Sequence, residues 1–173
     1  MIETKARRRA ALAALVAGAM ASALAAPTAA SAADDKTMPG SNCVPSTGNN
    51  PSGTRFFLVD STFFYADSGA PLRADCPILK ERVGGGIRSA SVFVVDNNPG
   101  ADVACQLFSR QVVPNGAVVG RQGQNVTSTG AGTATRQLNL GGLPAAAGLG
   151  SYWFIGCTLP PSTGIRSYYV DEQ

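Results

Sequence analysis

Apolar and polar residues alternate with a period of two in several short stretches, and past residue 32 no helical period is sustained. The clearest stretch is 151–160, SYWFIGCTLP. Extended, it puts Trp153, Ile155, Cys157 and Leu159 on one side and Tyr152, Phe154, Gly156 and Thr158 on the other. The first set is apolar enough for a core face, so a central strand is predicted here. Residues 89–96 (SASVFVVD) predict a second strand. A third, 103–113, leads into Pro114-Asn115-Gly116, a hairpin turn signal, and 117–125 returns. Residues 55–65 (RFFLVDSTFFY) predict one strand with aromatics on both faces, and 165–171 a last one. Within 72–82, Pro77 cannot donate to a ladder, which predicts an edge strand at best. In 136–140, Leu138 and Leu140 share a side. The Gly/Ser/Thr-rich stretch 127–135 predicts a mobile loop, and 141–150 a small-residue loop with room for a turn of helix at Ala145-Ala146-Ala147. Short strands separated by Gly, Pro and Asn turns predict an all-β fold: a single antiparallel β-sandwich, jelly-roll-like, stapled by two disulfides.

The first thirty or so residues stand apart. Lys5, Arg7, Arg8 and Arg9 precede an uncharged Ala/Leu/Val run over 10–26, and Ala30-Ser31-Ala32 offers small residues for a peptidase. This predicts a cleaved export leader, cut after Ala32, with Ala25 as second choice. A membrane anchor is the weaker reading, because a spanning helix needs roughly 20 apolar residues. The leader also changes the charge. Formal net charge is +3, from 14 basic and 11 acidic residues. The leader takes four basic residues and Glu3, leaving ten of each sign. The basic balance is therefore no argument for nucleic acid or a membrane surface. The expected organisation is a signal peptide over 1–32, an irregular arm over 33–54 and a sandwich domain over 55–173.

Cysteine use agrees with export to an oxidising compartment. Cys43, Cys76, Cys105 and Cys157 are even in number and far apart, with no C-x-x-C and no histidine to complete a zinc site. Three connectivities are open, and sequence does not decide between them. The expected pairs are Cys105 with Cys157, both mid-strand on apolar faces, and Cys43 with Cys76, tying the arm to an edge segment.

Several motifs recur in a familiar order. They are Cys43-Val44-Pro45, Cys76-Pro77-Ile78, Cys105-Gln106-Leu107, Cys157-Thr158-Leu159-Pro160, and Ile165-Arg166-Ser167-Tyr168 followed by Val170-Asp171-Glu172. The pattern resembles a group of small exported bacterial β-rich proteins of uncharacterised function. The resemblance implies export and a shared β fold. It implies no activity and carries over no catalytic residue.

Chemistry is narrowly bounded. Without histidine there is no Ser-His-Asp triad or Cys-His pair, and bonded cysteines are not nucleophiles. Carboxylates remain: Asp60, Asp67, Asp75, Glu81, Asp96, Asp102, Asp171 and Glu172. A glycosidase needs two of them across a cleft, and their spacing does not supply a pair. Residues 96–102 (DNNPGAD) look like part of a calcium loop, but position twelve is Leu107, not a carboxylate. A hairpin loop built on Asn and Pro-Gly accounts for them better. Phe56, Phe57, Phe63, Phe64 and Tyr65, with Trp153, Tyr168 and Tyr169, either line a platform for sugars or a peptide or pack the core, and core packing is the stronger reading. Asn125-Val126-Thr127 is a glycosylation sequon that matters only in a glycosylating host.

The sequence thus predicts a secreted, extracellular or periplasmic protein without catalytic residues, cofactor or metal. Its expected work is binding an extracellular ligand or protein, or a structural role. A calcium-dependent carbohydrate binder or a carboxylate-based glycoside hydrolase is the alternative.

Overall fold

The computed structural model describes residues 34–46, 56–59, 63–67, 69–81, 85–144 and 151–173. The expected leader, the second half of the expected arm and the Ala145-Ala146-Ala147 turn lie outside them. In chain order the strands are β1 (Asp34–Pro39), β2 (Val44–Pro45), β3 (Phe56–Val59), β4 (Phe63–Ala66), β5 (Leu72–Ile78) and β6 (Ile87–Asp96). They continue with β7 (Ala104–Val112), β8 (Val118–Thr127), β9 (Gly132–Leu143), β10 (Tyr152–Leu159) and β11 (Thr163–Glu172). A single 3-10 turn, Gly40–Asn42, links β1 to β2.

These strands form two antiparallel sheets. The first has the order β3-β4-β11-β6-β9, with β1 also paired to β11. β11 is long enough to serve two partners on one side, β4 along Thr163 to Ile165 and β1 from Ser167 to Glu172. The second sheet runs β2-β5-β10-β7-β8, which puts the predicted central strand in the middle of five. Trp153, Ile155, Cys157 and Leu159 are buried, and the alternate residues are not. From the other sheet, Val92, Val94, Ile165, Tyr168 and Val170 join them in one continuous core. The inward faces of two sheets share one apolar layer, as alternation predicted.

Both expected disulfides form, Cys43–Cys76 and Cys105–Cys157. Cys105 and Cys157 stand directly opposite each other in neighbouring strands of the same sheet, with Cα atoms 4.1 Å apart. The bond therefore fixes the β7–β10 register, whereas the immunoglobulin bridge joins two sheets.

Four expectations are corrected. The single strand over 55–65 is two strands, β3 and β4, paired with Phe56 opposite Ala66. The arm is not irregular where it is described: β1 pairs with β11 over six residues. The predicted loop 127–135 is mostly strand, with only 128–131 linking β8 to β9. Ser128 holds that link, donating from its hydroxyl to Asp96 and accepting the Val103 N–H at 2.8 Å. Thr133 and Thr135 are also good strand residues, so composition alone misled there. Finally, 97–103 is no hairpin, because β6 and β7 belong to different sheets and the segment crosses between them.

Two other readings hold. The Pro114-Asn115-Gly116 turn closes the β7–β8 hairpin, with Gly116 at φ +80° and the Asn115 side chain accepting from Ala117 N–H. Pro77 lies past the point where β2 stops pairing with β5, so its strand is an edge at that residue.

One end of the sandwich holds a buried ionic cluster. The Glu172 side chain is fully buried, and its Oε1 lies 3.0 Å from Lys36 Nζ. Its Oε2 accepts the Glu81 N–H at 3.3 Å, while Lys36 also donates to Leu79 O and meets Glu81 Oε1 at 3.2 Å. Lys80 lies over the Trp153 ring at 5.0 Å. Burial lowers the Lys80 pKa, against the upward pull of Glu172.

Tyr168 crosses the core, and its hydroxyl donates to Pro77 O at 2.7 Å, joining the two sheets. Burial pushes its pKa up to about 12, opposed by a hydrogen bond with the Asn42 side chain. A raised phenol pKa stabilises the fold fully below pH 10 and loses that contribution between about pH 10 and 12. At roughly 1.4 kcal/mol per unit, the loss amounts to about 2–3 kcal/mol. Urea midpoints for wild type and Tyr168→Phe should therefore converge between pH 9 and pH 11.5. A difference that is flat over that range contradicts the assignment.

Candidate functional site

The outward residues of the five-stranded sheet build a trough. Alternation forces Arg73, Asp75 and Pro77 of β5 to the same face as Tyr152, Phe154, Gly156 and Thr158 of β10. Ala104, Gln106, Phe108 and Arg110 of β7 join them. A cavity of about 350 Å³ lies over this face, lined by Arg73, Asp75, Gln106, Phe108, Arg110, Asn125 and Phe154, among others. A more apolar one of about 380 Å³ adjoins it and shares Asp75 and Phe154. Val44, Pro77, Leu79 and Tyr152 form its walls. The two meet at Asp75 and Phe154 in one depression, apolar at one end and of mixed polarity at the other.

Three rings run along it. Phe108 and Phe154 are cross-strand partners with centroids 4.9 Å apart and planes 12° apart. Tyr152 follows Phe154 at 6.1 Å and 17°. Gly156 makes this arrangement sterically possible, since a Cβ there would come within 2.9 Å of Phe108 Cε2. Tyr152 is 49% exposed, so much of its ring faces water along the trough. Polar groups flank the rings. Gln106 is held by its amide, which donates to Gly123 O at 2.6 Å. The Arg110 guanidinium lies 5.2 Å from the Phe108 centroid. Such a surface suits a ligand with flat apolar faces and hydroxyl-bearing edges.

The residues singled out from sequence fall elsewhere. Phe64, Trp153 and Tyr168 are core, Phe56 stacks on Phe64 at 5.1 Å, and the side chains of Phe57, Phe63 and Tyr65 lie outside the described residues. Tyr169 bonds Asp35, which pushes its pKa up to about 12. The cysteines are structural, although Cys157 also underlies the trough. Among the carboxylates, only Asp75 lines the trough; Asp67 and Asp102 are exposed, Asp96, Asp171 and Glu172 are buried, and Asp60 lies outside the described residues. Glycosidic cleavage needs two carboxyls roughly 5–9.5 Å apart, and among the described residues no such pair lines this depression.

The resemblance of 96–102 to a calcium loop has a different explanation. Asp96 is fully buried, and its Oδ1 accepts the Asn98 N–H at 3.2 Å. Its Oδ2 accepts from Ser128 Oγ and from Val103 N–H. Asn98 in turn accepts from Gly100 and Ala101 and donates to Pro161 O. The carboxylate spends its lone pairs on the crossing between sheets. Among the described residues no three acidic or sulfur side chains cluster as metal ligands would.

Sequence reasoning placed Tyr152 and Phe154 outward but missed Phe108, whose position depends on how β7 pairs. Among the described residues no helix is long and apolar enough to cross a membrane.

No family model matches the chain, and no curated protein matches it. Solved structures do. One is the Clostridium thermocellum N-terminal endo-1,4-β-D-xylanase 10B, its CBM22-1-GH10 modules complexed with xylohexaose. It has a TM-score of 0.54 and 14% identity, over 82% of this chain and 28% of that one. Another is the Podospora anserina GH26-CBM35 β-(1,4)-mannanase, with a TM-score of 0.46 and 12% identity, over 80% and 28%. The chain thus spans less than a third of the length of either. What the xylanase likeness shows is a shared β-rich fold of two antiparallel sheets.

Proposed function

We propose that this protein is a non-catalytic extracellular binding module that holds a polysaccharide chain along the outer face of its five-stranded sheet. The observation that carries this reading is the row of near-parallel rings, Phe108, Phe154 and Tyr152, set in a trough with polar flanks. Sugars offer apolar C–H faces to aromatic rings and hydroxyl edges to amides and guanidinium groups. The fold is compatible with such a role, since a xylanase carrying a carbohydrate-binding module shares it. Two disulfides fit an oxidising compartment outside the cell.

Phe154→Ala tests the reading. Phe154 is the middle ring and only half-buried, on the face away from the core. Its loss is expected to weaken binding to soluble xylan or another plant polysaccharide by tenfold or more in affinity electrophoresis, as truncating a central aromatic anchor does. The melting temperature should shift by only a few degrees. If the wild-type protein retards on no polysaccharide of a broad panel, or the variant binds as wild type does, the proposal is wrong. A hydrolase is disfavoured by the lone Asp75, and calcium-dependent binding by the prior engagement of Asp96.

A further inference from the structure

Arg110 does not look like an ordinary surface arginine. Its stem lies in a notch at Gly120, where a Cβ would come within 2.8 Å of Arg110 Cδ. Its guanidinium is thereby led over the Phe108 ring, at 5.2 Å. Across the ladder it stands opposite Tyr152, so it is placed by Phe108 and Tyr152 together. The group is half-buried and forms no ion pair with a carboxylate among the described residues. Two arginines and one aspartate, Arg73, Arg110 and Asp75, are the charged residues lining the depression. A guanidinium fixed this way has lost much of its side-chain freedom before any ligand arrives, and its planar fork of N–H donors matches a carboxylate.

We infer that the trough selects acidic polysaccharides, with a uronic-acid carboxylate taken by Arg110 while the sugar ring lies against Phe108 and Phe154. The inference rests on the polysaccharide reading and adds the charge of the ligand to it. A cation–π contact with Phe108 uses the charge of the guanidinium and not its N–H groups, so the ring holds the cation without consuming its donors.

The test uses a polysaccharide bearing uronic acid groups and the same polymer after reduction of its carboxyls to alcohols. Calorimetry or affinity electrophoresis of the whole protein should show the acidic form bound about tenfold tighter or more, an advantage that shrinks as salt rises. Arg110→Gln should erase that advantage, the acidic polymer losing about tenfold more affinity than the reduced one. Arg110→Lys, which keeps the charge but not the fork, should retain only part of it. Equal affinity for the two polymers overturns the inference while leaving the polysaccharide reading intact. So does an Arg110→Gln variant that loses both ligands equally, since the residue then acts by supporting Phe108. Failure of wild type to bind either polymer, or any neutral one, overturns both.

Discussion

Glu172→Gln is expected to cost about 3 kcal/mol of stability and, for a domain of this size, roughly 10 °C in melting temperature. The substitution keeps shape and removes one charge. Glu172 is fully buried and Lys36 is held 3.0 Å from it, with Lys80 close enough to feel its field. Once the carboxylate is gone, the Lys36 ammonium loses its buried counter-charge at 3.0 Å, and its ion pair with Glu81, 71% exposed, is a screened one. A largely buried ammonium deprived of its buried partner is the expensive outcome, more than the loss of attraction itself. Chemical denaturation of Glu172→Gln, Lys36→Met and the double variant separates the two. The double variant should recover part of the loss, because neither buried charge then lacks its buried counterpart. A drop below 1 kcal/mol for Glu172→Gln would show the cluster to be hydrated and of little consequence.

Removing the Cys105–Cys157 bond should have an effect of similar size. By chain entropy a loop of 52 residues is worth about 4 kcal/mol. The appropriate variant replaces both cysteines by alanine, so that no lone thiol remains. Because Cys105 and Cys157 are buried, a reductant reaches them only when the sheet opens, and reduction should be slow in native conditions. The variant should also bind polysaccharide less well than its folded fraction explains, since the bond fixes the register that sets Phe108 beside Phe154. A double variant with an unchanged melting temperature contradicts the stability assignment. One with normal affinity per folded molecule contradicts the link to binding.

That bond also explains what could be read from sequence. The inward and outward faces of β10 followed from alternation alone, as did the shared side of Leu138 and Leu140 in β9. Such calculations are local and need no partner. The trough is a property of pairing, and pairing is not local. Phe108 lies three residues after Cys105 and Phe154 three before Cys157, so antiparallel pairing of the cysteines puts the rings side by side. The information was present in the expected disulfide but emerges only when adjacent strands are assumed in addition. The error over 55–65 has the same origin. An unbroken run of strand formers cannot announce where it folds back, because aromatics and β-branched residues suit both halves of a hairpin. Over 127–135 the opposite happened, and small flexible residues were held straight by Ser128 and the distant Asp96. The buried Glu172 was likewise illegible, because its charge is met by Lys36, far away along the chain.

Asp34 faces Glu172 across the β1–β11 ladder, so the first and last strands of the sandwich are neighbours. They belong to one sheet, and the ring-lined trough faces outward from the other. Entry and exit points this close make the sandwich a candidate for splicing into a surface turn of an unrelated host protein without prising the host's two flanks apart. By the same geometry, a short linker between the strands would permit recutting the chain elsewhere, for example at the Pro114-Asn115-Gly116 turn, with the ligand-facing surface left unobstructed.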